Sequence, residues 1–217
     1  MTERGMIFNG EMVRAILDGR KTQTRRIIKW KQTRFTEIGE REDGSKWPWS
    51  EDAEHACDFW HPCPFGAVGD RIWVREAFRV HSRATDVATL VYKASERNSW
   101  TEQTHRVPVA VCNKPATPEK WTPSLHMPRW ASRILLEITG VRVERLNAIS
   151  EEDAEAEGID MEALYDSQDC YDCIADHNMT GRPTVTGAFK YLWESIYGDE
   201  SWNSNPWVWV IDFKRIE

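Results

Sequence analysis

Short apolar segments separated by turn residues are the sequence feature that most limits how this chain can fold. They include Ile72–Phe78, Thr89–Ala94, Val107–Val111 and the C-terminal Trp207–Ile216. Segments of this length, rich in Val, Ile and aromatic residues and bounded by turns, predict short β-strands. Few of them alternate with helices in the way that parallel βαβ units require. We therefore expect mostly antiparallel pairing in an α+β fold, a small mixed β-barrel with helices at its mouth.

A longer apolar run, RILLEITGVRVERL, predicts a strand pair broken at Gly140. It is followed by the acidic stretch SEEDAEAEGI, in which Ser150 can cap the start of a short helix and Gly158 can end it. Nearer the N-terminus, Asn9 can cap a helix over Gly10–Leu17.

The segment TVTGAFKYLWESIYG has the periodicity of an amphipathic helix. Its inward face is predicted to carry Phe189, Leu192, Trp193 and Ile196.

Two polar stretches interrupt these elements, at about 31–64 and 160–184. The first is rich in turn formers and dotted with Trp, so we expect a surface insertion with little regular structure. With 217 residues, of which 41% are hydrophobic, the chain is expected to form a single domain that carries both insertions.

Charge and hydropathy exclude several classes of protein. A net charge of −7 argues against a protein that coats DNA, because non-specific affinity comes from Lys and Arg neutralising phosphates. No apolar run approaches the roughly 18 residues of a membrane span, and the start MTERGMIFNGEM is too polar for a signal peptide. We expect a cytoplasmic protein with no membrane association, and no obligate protein partner is evident.

Tryptophan is abundant, with 12 residues. Indole rings bury large apolar areas and also stack on bases, so the excess fits either a core or a nucleobase pocket. Trp73 is a candidate for stacking on a base, although its place in a predicted strand favours the core. Trp207 and Trp209 alternate with valines, so one face of their strand should be core.

The octapeptide GRKTQTRR, Gly19 to Arg26, concentrates four cations on an acidic protein. One interpretation is a solvated basic segment at the end of a helix, where the helix dipole favours cations. The other interpretation is catalytic. Burial or neighbouring cations can lower the pKa of Lys21 until the amine accepts a proton from Thr24, which is a poor nucleophile by itself.

Cysteine and histidine form two loose groups, in which a zinc ion is an alternative to free thiols. The first group has an unusual spacing and the second contains one CxxC, so free cysteines are favoured and no metal is expected. The groups are Cys57, His61 and Cys63, and Cys170, Cys173 and His177.

Three segments together resemble the ASCH domain of the PUA-like superfamily, a small β-barrel associated with RNA and modified nucleosides. They are ILDGRKTQTRR, GDRIWVREAF and the closing VWVIDFKRI. The segments HMPRWASRI, ISEEDAEAEGI and LWESIYG are similar to those of longer ASCH proteins from phages and prophages. The resemblance covers about two thirds of the chain and leaves the two insertions unexplained.

Within this superfamily, GRKT-x-T-x-R and the acidic helix resemble the small bacterial N(4)-acetylcytidine amidohydrolases. That resemblance implies Lys21, Thr24 and Glu157 as catalytic residues. Glu157 is chosen over its acidic neighbours Glu151, Glu152 and Glu155 because it directly precedes Gly158.

The same resemblance implies hydrolysis of the amide of an N(4)-acylated cytidine or related nucleoside, without a metal or organic cofactor. Whether Thr24 forms an acyl-enzyme or positions water stays open, and so does the balance between burial and Glu157 in setting the pKa of Lys21. Candidate substrate-binding residues are Arg20, Arg26, Trp73 and Arg75. The alternatives are a non-catalytic module that binds RNA or a modified base, and a metal-independent ribonuclease.

Overall fold

The computed structural model of the chain describes residues 1–29, 36–52, 57–166 and 184–216. Within these ranges it is a mixed α+β protein with mostly antiparallel sheets, which confirms the expected class. The contacts divide it into two compact units. Unit 1 contains 1–19, 68–138 and 214–217, and unit 2 contains 20–67 and 139–213.

The strands of the described ranges are numbered in chain order: β1 (Glu3–Ile7), β2 (Gln23–Ile27), β3 (Thr36–Glu40), β4 (Lys46–Asp52), β5 (Cys57–Trp60), β6 (Arg71–Arg75), β7 (Phe78–Arg83), β8 (Val87–Tyr92), β9 (Thr104–Pro108), β10 (Leu135–Arg145) and β11 (Trp207–Arg215). The helices are α1 (Gly10–Leu17), α2 (Trp100–Gln103), α3 (Glu151–Ala156), α4 (161–166) and α5 (Val185–Tyr197). None of these helices is long and apolar enough to cross a membrane.

Unit 1 contains the antiparallel sheet β7-β8-β9, in which hydrophobic side chains form a buried core with Met127 and Ala131. It also contains β1, which pairs in parallel with β6. The first residues of β10 pair with the other edge of β6 in antiparallel register. The sequence did not predict β1, because its five residues contain three polar or glycine positions.

Unit 2 contains β2, β11 and the second part of β10, with β11 between the other two strands. Beside this sheet, α3, α4 and α5 bury one cluster of apolar side chains that includes Leu146, Phe189, Trp193 and Val210. Strand β11 is buried on both faces over Val208–Ile211, so the expectation of one core face was too narrow.

The two capped helices form as predicted. The side chain of Asn9 accepts from the Met12 amide at 2.8 Å, and α1 covers Gly10–Leu17. The side chain of Ser150 accepts from the Asp153 amide at 3.1 Å to start α3. Short polar caps are local devices, which is why the sequence alone predicts them well.

Helix α5 also forms, with Phe189 and Trp193 buried. Ile196 was expected on the inward face, but it is 41% exposed. It lies in the last turn before Gly198, where the end of the helix leaves less of the core to cover it.

The region 31–64 was expected to have little regular structure, and this prediction was wrong. Its described residues form the antiparallel sheet β3-β4-β5. A turn with Gly44 at φ 79° connects β3 to β4. Trp47 packs edge-on against Trp209 with ring centroids 5.0 Å apart, and Arg41 lies 4.1 Å from the Trp47 ring centroid. Aromatic and cation–π contacts therefore stabilise this sheet. Its many polar residues are the reason that the sequence did not predict it.

The run Ile72–Phe78 was predicted as one strand, but β6 ends at Arg75 and β7 begins at Phe78. Between them Glu76 is buried, and both of its carboxylate oxygens accept from Arg133, at 2.9 and 3.1 Å. The break between β6 and β7 therefore coincides with the buried ion pair between Glu76 and Arg133.

Gly140 was expected to break a strand pair, but β10 continues through it. A Cβ atom at this position would lie 2.6 Å from the Asp212 carboxylate, so glycine is required by a close approach rather than by a turn. We expect Gly140→Ala to lower the free energy of unfolding by about 1–3 kcal/mol through overpacking. Urea unfolding measures this, with Gly10→Ala as the control because the new Cβ would meet nothing nearer than the Arg14 guanidinium at 3.6 Å. Equal stability of the two variants would contradict the expectation.

Candidate active site

Lys21 lies two residues before β2 and forms an isolated antiparallel bridge with Glu157, which follows α3. The bridge is extended by the Thr22 amide, which donates to the Ala156 carbonyl at 2.9 Å. Gly158 has φ 94° and turns the chain directly after Glu157. Main-chain geometry thus places two residues that are 136 positions apart side by side.

The side chains of Lys21 and Glu157 are in direct contact and buried, 0% and 2% exposed. The Lys21 Nζ lies 2.5 Å from Glu157 Oε2 and donates to the Glu157 carbonyl at 2.7 Å. The structure therefore brings together two of the three residues expected to be catalytic.

Burial lowers the pKa of Lys21 below its ordinary value of 10.5, because a charged amine loses its hydration there. The contact with Glu157 opposes this shift, whereas the charges of Arg26 and Arg25 add to it. Burial prevails, so the pKa of Lys21 is lowered. An amine with a lowered pKa can accept a proton closer to neutral pH than an exposed lysine can.

Arg25 is a second buried cation beside Glu157. Its Nη1 lies 3.4 Å from Glu157 Oε1, the carboxylate oxygen opposite the one that Lys21 contacts. Its Nη2 donates to Asp153 at 2.8 Å and lies 3.4 Å from Glu144. The Arg25 side chain is fully buried, and its guanidinium carbon lies 5.8 Å from the centre of the Phe189 ring.

Gln23 and Arg142 extend the cluster. The Gln23 amide donates to Asp153 at 2.9 Å and to Asp212 at 2.7 Å. Arg142 donates to Asp153 at 2.7 Å and to Asp212 at 2.9 Å. Partial burial would raise the pKa of Asp153, but the hydrogen bonds from Gln23 and Arg142 and the charge of Arg25 outweigh it and lower that pKa. The carboxylate therefore stays ionised and holds its partners in place.

The side chain of Thr24 lies on the other face of β2. Side chains alternate along a strand, so Thr24 and Arg26 lie on the face opposite Gln23 and Arg25. Thr24 is 1% exposed and pairs in register with Ile211. In the part of the chain that the structure describes, its hydroxyl makes no hydrogen bond to Lys21.

The expected substrate-binding residues are distributed over both units. In unit 2, Arg20 donates to the Gly158 carbonyl at 3.0 Å, and Arg26 is half-buried on β2. In unit 1, Trp73 packs so closely on Gly5 that a Cβ there would lie 2.5 Å from its ring. Arg75 donates to the carbonyls of Ser124 and Leu125 in the same unit.

Sequence reasoning expected Arg25 only as one of the cations that lower the pKa of Lys21, and it missed Gln23, Asp153, Arg142 and Asp212 as members of the cluster. One signal was present, because Lys21, Gln23 and Arg25 are spaced at i, i+2 and i+4 and share a face once the segment is a strand. The buried position of this segment also shows that a solvated basic helix end was the wrong interpretation of it. The acidic partners come from distant segments and leave no comparable local signal.

Metal-binding geometry is not found among the described residues, in which no group of three or more His, Cys, Asp and Glu side chains surrounds a common point. His61 shares a hydrogen bond of 2.9 Å with Ser50, and Cys63 is buried. The second group of the zinc alternative, Cys170, Cys173 and His177, lies outside the described residues.

Comparisons with protein families, with curated proteins and with solved structures found no match to this chain.

The lowered pKa of Lys21 makes stability depend on pH in a defined direction. Between that pKa and 10.5 the unfolded chain binds more protons than the folded one, so the free energy of unfolding contributed by Lys21 rises with pH. We expect the difference in stability between the wild type and Lys21→Met to increase as pH rises through this window. Urea unfolding at a series of pH values measures it, and a difference that falls with pH would contradict the assignment.

Proposed function

We propose that this protein is an amidohydrolase that removes the acyl group from N(4)-acylated cytidine or a related modified nucleoside. The observation that carries the proposal is the buried contact between Lys21 and Glu157, 2.5 Å from Nζ to Oε2. The proposal includes membership of the ASCH group, with a PUA-like barrel and a cytoplasmic location. It rests on the motif GRKT-x-T-x-R together with this contact.

In the proposed reaction, neutral Lys21 accepts a proton from the attacking oxygen, which belongs either to Thr24 or to a water molecule. The oxygen adds to the acyl carbon, the C–N bond breaks, and the proton passes to the departing exocyclic nitrogen of cytosine. When Thr24 is the attacking group, a water molecule then cleaves the acyl–Thr24 ester and restores the hydroxyl. Glu157 orients the amine and takes part in the transfer, since its Oε2 lies 2.5 Å from the Lys21 Nζ. The net reaction consumes one water and yields cytidine and a carboxylate.

A second candidate is a module that binds RNA or a modified base without turnover. The observation in its favour is that Thr24 and Arg25 lie on opposite faces of β2, so the threonine hydroxyl and the buried cluster do not share a face. In that case the cluster has a structural role and the cations near it contact phosphate.

The proposal is tested by incubating the protein with N(4)-acetylcytidine and following deacylation by the change in absorbance. We expect deacylation by the wild type and none by Lys21→Ala. In parallel, single-stranded RNA is incubated with the protein and run on a gel, where we expect it to stay intact. Binding of RNA without turnover of either substrate would favour the module, and cleavage that depends on Lys21 would favour the metal-independent ribonuclease.

A further inference from the structure

The carboxylate of Glu157 is shared between two buried cations. Lys21 contacts Oε2 at 2.5 Å, and Arg25 lies 3.4 Å from Oε1. All three side chains are at most 2% exposed. Because each oxygen faces a different cation, the orientation of the carboxylate depends on both.

Arg25 is itself held from a second side. Its other terminal nitrogen donates to Asp153 at 2.8 Å, and Asp153 also accepts from Arg142 at 2.7 Å. Arg25 further donates to the Gln23 side chain, whose amide binds Asp153 and Asp212. A planar guanidinium that bridges two carboxylates has a fixed direction, which a flexible ammonium group does not have.

The Nε of Arg25 is buried and has no hydrogen-bond partner among the described residues. A buried donor without a partner costs stability, so a residue chosen only to stabilise the fold would not be expected to leave one. The contacts of Arg25 are instead concentrated on the carboxylates, and Glu157 is one of them.

From this geometry we propose that Arg25 is a positioning residue, which holds Glu157 by one carboxylate oxygen and so sets the proton affinity of Lys21 on the other. This deepens the proposed function, since it assigns a residue that prepares the Lys21–Glu157 pair and need not touch the substrate. The charges of Arg26 and Arg25 both lower the pKa of Lys21, whereas Asp153 and Glu144 contact Arg25 and not the pair itself.

The test is a direct titration of Lys21 by carbon NMR of labelled lysine, with the signal assigned by its loss in Lys21→Met. We expect Arg25→Gln to raise the pKa of Lys21, because a neighbouring cation is removed while a donor to Glu157 remains. Arg25→Lys keeps the charge but loses the fixed direction of the guanidinium, so the pKa of Lys21 should differ from its wild-type value. If Arg25→Gln does not fold, a pKa of Lys21 in Arg25→Lys equal to that of the wild type overturns the proposal.

Arg142→Gln is the matched control. Arg142 belongs to the same cluster and contacts Asp153, Glu144 and Asp212, but not Glu157. A purely structural role for Arg25 predicts that both Gln variants shift Lys21 alike, or that neither does, and either result would overturn the proposal. An upward shift in Arg25→Gln alone supports it.

The titration needs no turnover, so it is separable from the proposed function. If deacylation is observed, we expect Arg25→Gln to lower kcat about tenfold, the equivalent of one charge-assisted hydrogen bond, with little change in KM. The acid limb of its pH–rate profile should move upward with the pKa of Lys21. A shift in the pKa of Lys21 without any deacylation would support the positioning role of Arg25 and contradict the proposed reaction.

Discussion

Lys21→Met is expected to lower the rate of N(4)-acetylcytidine deacylation by about 1,000-fold, the scale that a general base contributes. Methionine has a similar length and fills the buried space, but it cannot accept a proton. The loss should appear in kcat, because the amine acts on the proton of the attacking oxygen and not on ground-state binding. Steady-state kinetics measure it, at a temperature where circular dichroism shows the variant folded.

Lys29→Met is the control for this substitution. Lys29 is exposed and follows β2 in the same basic stretch, so its removal changes the net charge equally. We expect its activity to stay within about twofold of the wild type, as for surface changes away from a site. If both variants lose activity alike, charge in the segment, and not the buried amine, is responsible.

Local signals in the sequence predicted α1 and α3 well. Asn9 and Ser150 cap their helices with their own side chains, and Gly19 and Gly158 follow the helix ends at φ 77° and 94°. Such devices act within four residues, so a pattern of residue types is enough to recognise them.

The sheet β3-β4-β5 and the strand β2 were not predicted, for a different reason. Their polar and charged side chains find partners far along the chain, such as Trp209 for Trp47 and Asp153 for Arg25. A cation can be buried only beside partners that compensate its charge. When those partners lie far along the chain, the local sequence of a buried cation does not differ from that of a solvated one. Periodicity in a short window carries no information on such partners.

The candidate site was also predicted only in part, because local signals identified some of its residues but not their relative positions. Glu157 was singled out by its place before Gly158, and the structure puts its carboxylate on Lys21. The relation of Lys21 to Thr24 was assumed from a spacing of three residues. In a strand that spacing places side chains on opposite faces, so only the observed backbone could show the difference.

Removing one member of the buried pair is expected to cost much more stability than removing both. In Lys21→Met the Glu157 carboxylate stays buried, with the 3.4 Å contact to Arg25 as its remaining ionic partner among the described residues. An uncompensated buried charge costs about 3–5 kcal/mol, which is the expected loss in the free energy of unfolding. Urea unfolding monitored by tryptophan fluorescence measures it.

The double variant Lys21→Met/Glu157→Leu removes both charges and keeps the space filled. Replacement of a buried ion pair by apolar residues is often neutral or stabilising, so we expect it to regain at least about half of the loss seen in Lys21→Met. Lys214→Met is the control, because Lys214 is exposed in its pair with Glu137, and such a pair should contribute less than about 1 kcal/mol.

Activity should not return with stability in the double variant, because neither remaining side chain can move a proton. A stable and inactive protein would separate the chemical role of the Lys21–Glu157 pair from its structural cost. If the two substitutions instead add, with the double variant less stable than Lys21→Met, the two side chains have no coupling energy and each one stabilises the fold separately. The burial of Lys21 would then be explained by the fold alone, and the main support for a catalytic lysine would be lost.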